Sequence, residues 1–273
     1  VIAEVHMNEI YKFLLELIAI ALISLFIMGI FFSDSLIFRP QQPSYTDNKE
    51  IIKLTLPNGL TISAQYWQPY KDKNNSYVVL LSHGNSEDLG TIMPLKASLQ
   101  KKGYAVMTYD YPGYGTSEGT ANEANSYASV EAAFNYLINS CHVDSTKIIA
   151  YGHSLGAAMA IHIAAKHDIG GLFIESAFVS TFRVFTTYPI LPFDKFNNLK
   201  KIAKIISPKV IVHGSADNVI PFWHGKKLFD AAPSPKAKLW IDKAGHNNCL
   251  ETDSTQYLLQ WDMLITMIKD HQS

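Results

Sequence analysis

The hydrophobic positions of this chain form two patterns: a long apolar stretch near the N-terminus, then short apolar runs that alternate with amphipathic segments. Phe13–Phe32 reads FLLELIAIALISLFIMGIFF, with Glu16 as its only charged residue. A helix of about 20 residues spans roughly 30 Å, the thickness of the hydrocarbon core of a bilayer. The pattern therefore predicts a transmembrane helix, which with the tail before it makes up an N-terminal segment of residues 1–35.

Two other kinds of segment also produce apolar stretches. A cleaved signal peptide has a shorter apolar region, roughly 7–15 residues, and ends at a cleavage site of small residues, which Ser33-Asp34-Ser35 matches poorly. A buried amphipathic core helix would show a polar face, whereas Ser24 is the only interruption of that kind in Leu17–Phe32. We therefore expect an uncleaved single-pass membrane anchor, and a signal peptide remains the alternative.

The charges that flank the apolar stretch leave the orientation of the anchor open. Lys12 precedes the stretch and Arg39 and Lys49 follow it, so the difference in Lys and Arg is too small for the positive-inside rule to decide. Met7 is a candidate start residue, because the residues before it add little that an anchor needs. The expected location is the membrane, with the side on which the rest of the chain lies undetermined.

Residues 36–273 have the length of one α/β domain. The runs Glu50–Leu56 and Leu60–Trp67 flank Pro57-Asn58-Gly59, which predicts a hairpin at one edge of a sheet. After it, short β-rich runs alternate with helical patterns, which indicates a mostly parallel sheet with helices on both faces. The predicted strands are Tyr77–Leu81, Tyr104–Tyr109, Lys147–Tyr151, Gly171–Ile174, Lys209–His213 and Lys238–Ile241, and the predicted helices are 88–101, 121–140, 154–167, 221–232 and 254–270.

One interval departs from this alternation. Residues 177–206 follow a predicted strand but hold no clear helix-plus-strand unit, and they are rich in aromatic residues and prolines. We expect a short cap-like insertion over the carboxyl edge of the sheet, where open α/β folds bind ligands. The aromatic side chains of Phe178, Phe182, Phe185 and Tyr188 are the candidate substrate pocket.

Composition narrows the classes of function. The chain carries 23 Lys and Arg against 24 Asp and Glu, a formal net charge of −1, which excludes a dedicated nucleic-acid binder with a basic surface. Hydrophobic residues make up 48% and charged residues only 17%, against about 25% charged in soluble domains, which fits a chain with one segment in lipid. Two cysteines exclude a disulfide scaffold and a Cys-rich zinc module.

The segment Gly152-His153-Ser154-Leu155-Gly156 joins a predicted strand to a predicted helix. A turn this tight strains the serine backbone and raises the serine hydroxyl above the sheet, and glycines are needed because side chains there would collide with neighbouring backbone. The alternative is a plain Gly-rich turn with an incidental serine. The position between strand and helix favours Ser154 as a nucleophile.

A serine hydroxyl needs a base, and the base needs an orienting acid. His246 follows the last predicted strand and Asp217 follows the strand before it, so both emerge at the same carboxyl edge as Ser154. The chain order of serine, acid and histidine is the one that accompanies a Gly-x-Ser-x-Gly turn of this kind. Glu175 and Asp242 are the substitute candidates for the acid.

Acyl transfer also requires donors for the developing oxyanion. The turn supplies the backbone N–H of Leu155, and the loop Ser82-His83-Gly84-Asn85 is placed to supply the N–H of Asn85, with His83 shaping the loop. No His-Glu-x-x-His or other metal-binding spacing occurs in the sequence, so we expect no metal mechanism.

Together these motifs resemble the α/β-hydrolase superfamily over residues 36–273, and in particular its membrane-anchored abhydrolase-domain-containing serine hydrolases, which include protein depalmitoylases. The resemblance implies the α/β-hydrolase fold and serine hydrolase chemistry without a cofactor, with Ser154, Asp217 and His246 at the triad positions. One departure is that depalmitoylases carry an N-terminal cysteine cluster for lipidation, whereas this chain has an apolar span. The segments that carry the resemblance are 82–85, 109–117, 152–156, 175–178 and 245–247.

We therefore expect a serine hydrolase that cleaves a carboxylic ester or thioester, with an apolar acyl group, through an acyl-enzyme on Ser154. The expected partners are a small-molecule or lipidated substrate and the membrane, and the oligomeric state is open. A serine peptidase or aminopeptidase of the same fold is one alternative, which the lack of a conspicuous acidic patch for a substrate amine disfavours. A non-catalytic scaffold is the other, and the intact set of serine, acid and histidine disfavours it.

Overall fold

The N-terminal apolar stretch forms one long helix, α1 (Ile2–Phe31), followed by the short helix α2 (Ser33–Ile37). The structure, a computed structural model, describes residues 2–31, 33–69, 77–190 and 193–273. Phe32, the last residue of the predicted span, and residues 191–192 of the predicted insertion lie outside that part. Within α1, Asn8–Gly29 is long and apolar enough to cross a membrane, a property that a signal sequence near the N-terminus shares.

The part of the chain after α2 is built on an eight-stranded sheet with the order β1-β2-β4-β3-β5-β6-β7-β8. The first two strands pair antiparallel with each other, and β2 pairs antiparallel with β4, while all the other neighbours are parallel. The mostly parallel sheet and the antiparallel edge hairpin are therefore confirmed. The strands are β1 (Ile52–Thr55), β2 (Thr61–Trp67), β3 (Val78–Ser82), β4 (Ala105–Tyr109), β5 (Ile148–His153), β6 (Gly171–Glu175), β7 (Lys209–Gly214) and β8 (Lys236–Ile241).

Helices cover both faces of the sheet, as the alternation of strands and helices predicts. Every residue of β3, β4, β6 and β7 is buried, because these strands have a hydrophobic core on each side. One core packs under α4, α5 and α7, and the other under α3 and α9. These helices are α3 (Met93–Lys101), α4 (Glu123–Asn139), α5 (Leu155–Lys166), α6 (Asn198–Ile202), α7 (Trp223–Ala231), α8 (Cys249–Thr252) and α9 (Ser254–Gln272).

Helix α3 begins five residues later than the sequence pattern predicts, at Met93 instead of residue 88. The carboxylate of Asp88 accepts hydrogen bonds from the backbone N–H groups of Gly90 and Thr91, each at 3.1 Å. Short polar side chains that bond to nearby backbone in this way compete with helix formation. The segment before Met93 is consequently a turn, which keeps the loop after β3 open at the carboxyl edge of the sheet.

The interval between β6 and β7 contains only a 3₁₀ turn (Phe182–Val184) and the five-residue helix α6 in its described part. It lies over the carboxyl edge of the sheet, since residues on both sides of the 3₁₀ turn share a cleft with Ser154. The register of the central strands brings the ends that carry chemistry together: Ser82 pairs with Gly152, and His153 pairs with Glu175.

Candidate active site

Ser154 lies at the turn between β5 and α5 in a strained backbone conformation. Its φ of 54° is in the left-handed region, which costs a residue with a Cβ about 1–3 kcal/mol. The backbone around it is too close for other side chains: a Cβ on Gly152 would lie 2.3 Å from the carbonyl oxygen of Gly156, and a Cβ on Gly156 would lie 2.0 Å from that of Ser82. Tight packing of β3, β5 and α5 therefore holds the hydroxyl of Ser154 above the sheet.

The structure brings Ser154, His246 and Asp217 into one hydrogen-bonded chain. The distance from Ser154 Oγ to His246 Nε2 is 2.9 Å, and the distance from His246 Nδ1 to Asp217 Oδ2 is 2.8 Å. An ionised carboxylate only accepts, so Nδ1 carries the proton and Nε2 is left to accept from the serine hydroxyl. This is the arrangement in which an imidazole can remove the proton of Ser154 during nucleophilic attack.

The surroundings of Asp217 keep its carboxylate ionised and fixed. Burial alone would raise the pKa of Asp217, but contacts with His213 and His246 and the backbone N–H of Ile220 outweigh burial and hold the pKa well below its usual range. The second oxygen, Oδ1, accepts from the backbone N–H groups of Val219 at 2.9 Å and Ile220 at 2.8 Å. The acid is thus held from both sides, with one oxygen left for His246.

The two substitute acids have other partners. Glu175 Oε2 accepts from the hydroxyl of Tyr257 at 2.6 Å and from that of Tyr151 at 2.9 Å. Asp242 is exposed, and its carboxylate accepts from Ser215 Oγ at 3.1 Å. Neither of them hydrogen-bonds to His246 within the described residues, which leaves Asp217 as the candidate acid.

The two predicted oxyanion donors, the backbone N–H groups of Leu155 and Asn85, belong to residues that line the cleft beside Ser154. Across the described ranges, neither N–H donates to another protein atom, so both are available to a bound oxyanion. The side chain of His83 is buried and lies 3.3 Å from Asp110 Oδ1, while the backbone carbonyl of His83 accepts from the hydroxyl of Tyr111 at 2.7 Å. His83 therefore shapes the loop from beneath.

Two charged side chains join the Asn85 loop to His246, and no sequence pattern indicates their contact. His153 Nδ1 lies 3.7 Å from Glu87 Oε2, and the same carboxylate oxygen accepts from the backbone N–H of Gly84. His153 Nε2 donates to the backbone carbonyl of His246 at 3.1 Å, and Ser176 Oγ donates to that carbonyl at 3.1 Å. Glu87 and His153 are far apart in the chain, so no local pattern could have indicated their contact.

Electrostatics favour the charged forms of this pair. Burial alone would lower the pKa of His153, but the contact with Glu87 and the charges of Glu175 and Glu87 outweigh it and raise the pKa to about 9. Burial alone would raise the pKa of Glu87, but the interactions with His153 and His83 outweigh it and lower the pKa to about 2. An ion pair therefore braces the backbone on which His246 is carried.

The cleft at Ser154 has a volume of about 650 Å³, within the usual range for small-molecule sites. Of the predicted pocket residues, Phe178 and Phe185 line this cleft, while Phe182 and Phe185 line a neighbouring cavity. Tyr188 is 78% exposed and lines neither of them. The described residues contain no group of three or more His, Cys, Asp and Glu side chains placed to hold a metal ion.

The chain is similar to several known proteins. The family described as serine aminopeptidase, S33, matches residues 73–189. Human alpha/beta hydrolase domain-containing protein 17B is 38% identical over 178 residues, which are 64% of this chain and 62% of the human protein. Alpha/beta hydrolase domain-containing protein 17C of Xenopus tropicalis is 37% identical over 175 residues, which are 63% of this chain and 56% of that protein. The chain thus spans less than two thirds of the length of these curated relatives.

Solved structures share the fold at low sequence identity. An esterase from Pyrococcus furiosus superposes with a TM-score of 0.69 and 17% identity, over 84% of this chain and 98% of that one. The esterase domain of a Rhodothermus marinus protein superposes with a TM-score of 0.61 and 19% identity, over 77% of this chain and 96% of that one. At such identities the likeness is one of fold alone.

Proposed function

The chain is an α/β-hydrolase of the serine-hydrolase type, and from that premise we propose that it cleaves carboxylic ester or thioester bonds through an acyl-enzyme on Ser154. The observation that carries the proposal is the unbroken chain of hydrogen bonds from Ser154 Oγ through His246 to Asp217. Because the chain spans less than two thirds of the length of its curated relatives, the activity of the whole protein is part of the same proposal.

The reaction follows the geometry of the site. His246 Nε2 takes the proton of Ser154 as Oγ attacks the acyl carbonyl carbon, and Asp217 stabilises the imidazolium that forms. The backbone N–H groups of Leu155 and Asn85 receive the oxyanion of the tetrahedral intermediate. The proton on His246 then passes to the leaving alcohol or thiol as its bond to the acyl carbon breaks. Water, activated by His246 in the same way, releases the acid and restores the serine.

The lining of the cleft supports an apolar acyl group. Phe178, Val184 and Phe185 of the insertion line the cleft, together with Val219 and Ile220 of the loop that carries Asp217. Esterases are among the proteins that share the fold, which is consistent with oxygen esters as substrates. Apolar side chains of this kind favour burial of a hydrocarbon chain over a polar substrate.

An aminopeptidase is the second candidate, because the matching family is described as a serine aminopeptidase. Binding of a substrate's free amine requires an available carboxylate near the serine. The one carboxylate that lines the described part of the cleft is that of Glu87, and it is already engaged by His153 and by the backbone N–H of Gly84. The cleft therefore favours an ester or a thioester over an aminoacyl amide.

Hydrolysis assays with matched substrates test this choice. We expect p-nitrophenyl esters and acyl thioesters to be turned over by the full chain in detergent or vesicles, and not by the Ser154→Ala variant. Aminoacyl anilides should react far more slowly than the esters. Turnover of the anilides alone would contradict the proposed substrate class and establish the aminopeptidase.

Attachment to the membrane is the remaining part of the proposal. The large side chains of Asn8–Gly29 are mostly exposed in the structure, for example Leu15 at 67% and Ile20 at 60%. Exposure of so many apolar side chains along a helix is stable in lipid and not in water. The helix therefore serves as a single-pass anchor that holds the site close to the bilayer.

A further inference from the structure

A second cavity, of about 610 Å³, lies between the C-terminal end of α1 and the segment that follows β6. Leu25 and Met28 of α1 line one side of it, and Phe182, Ile190 and Phe193 line the other. Most of its lining side chains are aliphatic or aromatic, and the charged ones among them are Arg39, Arg183 and Asp194. Helix α1, which contains the apolar stretch Asn8–Gly29, therefore also lines a cavity of the folded domain.

Specific contacts fix α1 and α2 against the domain. The rings of Phe26 and Phe193 meet edge to face with their centroids 5.4 Å apart. Lys195 of the insertion forms an ion pair with Asp34 of α2 through its Nζ. Both helices contact the same short segment. Specific interactions therefore hold α1 and α2 against the side of the cavity that this segment forms.

The same junction reaches the candidate oxyanion loop. The side-chain Nδ2 of Asn85 donates to the backbone carbonyl of Ile37 at 2.6 Å, and Asn85 Oδ1 accepts from the backbone N–H of Arg39 at 3.1 Å. The hydroxyl of Tyr114 donates to Asn85 Oδ1 at 2.6 Å. The segment that follows α1 is therefore bonded directly to the residue whose backbone N–H is placed to receive the oxyanion.

The second cavity adjoins the cleft at Ser154. Both are lined by Leu36, Ile37, Arg39 and Phe185, so these residues lie at the boundary between them. A chain attached by its carbonyl carbon to Ser154 would pass between Ile37 and Phe185 and enter the cavity against α1. The residues of α1 that line the cavity are in the last turns of the apolar stretch Asn8–Gly29, at the level where the helix leaves the hydrocarbon core.

We infer that this cavity is the binding site for the substrate's acyl chain, with the C-terminal end of the anchoring helix as one of its walls. The substrate class is then a long-chain acyl ester or thioester whose chain is already in the bilayer. Such a chain reaches Ser154 along α1 without crossing water, which avoids the exposure of its methylene groups. The inference rests on the proposed function, since it assigns the acyl group of the same reaction.

Paired tryptophan substitutions on α1 test the inference. Leu25 lines the cavity, whereas Leu15 lies on the same helix, is 67% exposed and lines neither cavity. In the full chain reconstituted into phosphatidylcholine vesicles, Leu25→Trp should lower kcat/KM for p-nitrophenyl palmitate by about tenfold or more, because the added ring fills the cavity. It should leave p-nitrophenyl butyrate within about twofold of the wild type, since a short chain stays in the cleft. Leu15→Trp should change neither ester by more than about twofold.

A third variant separates filling of the cavity from loss of the leucine. Leu25→Ala keeps the cavity open, so it should retain turnover of the palmitate ester. An unchanged ratio of palmitate to butyrate turnover in Leu25→Trp, or the same shift in Leu15→Trp, would overturn the inference. Absence of Ser154-dependent turnover for both esters in the wild type would instead overturn the proposed function itself.

Discussion

At the scale of single residues, the environment of Asp217 defines what the candidate acid does. Both of its carboxylate oxygens accept hydrogen bonds, and contacts with His213 and His246 hold its pKa well below the usual range. An acid of this kind stays ionised at neutral pH. Its role is then to fix the tautomer and orientation of the imidazole and to stabilise the imidazolium.

Replacement of this acid tests its role. Asp217→Asn keeps the shape of the side chain but removes the charge, so kcat for ester hydrolysis should fall by about 10³–10⁴-fold. Asp242→Asn is the matched control, because Asp242 is exposed and does not bond to His246, and it should keep wild-type kcat. Near-normal kcat in Asp217→Asn, with a large loss in Glu175→Gln, would move the role of the acid to Glu175.

The ion pair of His153 and Glu87 makes a prediction about pH. The pKa of His153 is raised from 6.5 to about 9, so its stabilising charge is fully present below about pH 6.5 and is lost as the pH rises through about 9. The pKa of Glu87 is lowered from 4.5 to about 2, so its contribution is present above about pH 4.5 and is lost as the pH falls toward 2. The ion pair therefore stabilises the fold most between about pH 4.5 and about pH 6.5, where both side chains are fully charged in the folded protein.

Thermal unfolding of His153→Gln in detergent checks this window. The wild type should unfold at a higher temperature than the variant at pH 6, and the difference should shrink at about pH 9.5, where His153 is neutral. His271→Gln serves as the control, since His271 is exposed near the C-terminus. An equal difference at both pH values would show that His153 acts by packing and not by its charge.

The sequence predicts the three residues of the candidate triad better than the contacts that hold them in place. Ser154, Asp217 and His246 each stand in a recognisable position at a strand end, and the structure brings them together. The Glu87–His153 pair and the contact of Asn85 with Ile37 involve side chains distant in the chain, and only the packed structure shows them. Tyr188 shows the opposite error: an aromatic residue in the right segment is exposed, because composition does not determine the direction of a side chain.

At the scale of elements, the turn between β5 and α5 depends on two glycines that allow close approach of backbone. A Cβ on Gly156 would lie 2.0 Å from the carbonyl oxygen of Ser82 and 2.6 Å from that of His83. Real Cβ atoms do not approach backbone so closely, so α5 would have to move away from β3. That movement would also displace the N–H of Leu155 from the loop that contains Asn85.

Alanine substitution at two glycines tests this dependence. Gly156→Ala should lower the unfolding temperature and remove most of the ester hydrolysis, because helix and strand can no longer approach. Gly59→Ala is the matched control: Gly59 has a φ of 85° but no atom within 4 Å of the added Cβ. That variant should lose about 1 kcal/mol of stability and keep its activity. Wild-type activity in Gly156→Ala would contradict the account of the turn.

The elements themselves are predictable because their patterns are strong. Strands buried on both faces give short, almost wholly apolar runs, and all six predicted strands after the hairpin are present with bounds that shift by one or two residues. The start of α3 was wrong by five residues, since the bonds of Asp88 to its own backbone are decided by geometry and not by periodicity. No pattern in the sequence predicts the ion pair between Asp34 of α2 and Lys195.

At the scale of the whole molecule, α1, the segment after β6 and the sheet meet around two adjoining cavities. The segment Leu36–Arg39 lines both the cleft and the second cavity, so it connects the end of α1 to the turn at Ser154. The low share of charged residues, 17%, then has two sources: the apolar span and a sheet buried on both faces. Neither source alone would reveal that the end of α1 also lines the second cavity.

Membrane fractionation tests the anchor at this scale. A C-terminally tagged chain should stay in the membrane pellet after an alkaline carbonate wash and should keep its full mass. An Ile20→Arg and Ile23→Arg double variant should be released, because each arginine costs about 2.5–3.5 kcal/mol at the centre of a span. A shorter, soluble product from the unsubstituted chain would contradict the anchor and indicate a cleaved signal peptide.

The central claim, that Ser154 is an activated nucleophile, is tested most directly by labelling with a fluorophosphonate probe. The account predicts that the full chain is labelled at Ser154, that Ser154→Ala is not labelled, and that the control Ser140→Ala, which changes an exposed serine at the end of α4, is labelled like the wild type. Equal labelling of the wild type and Ser154→Ala, or no labelling of a folded wild type, would contradict it.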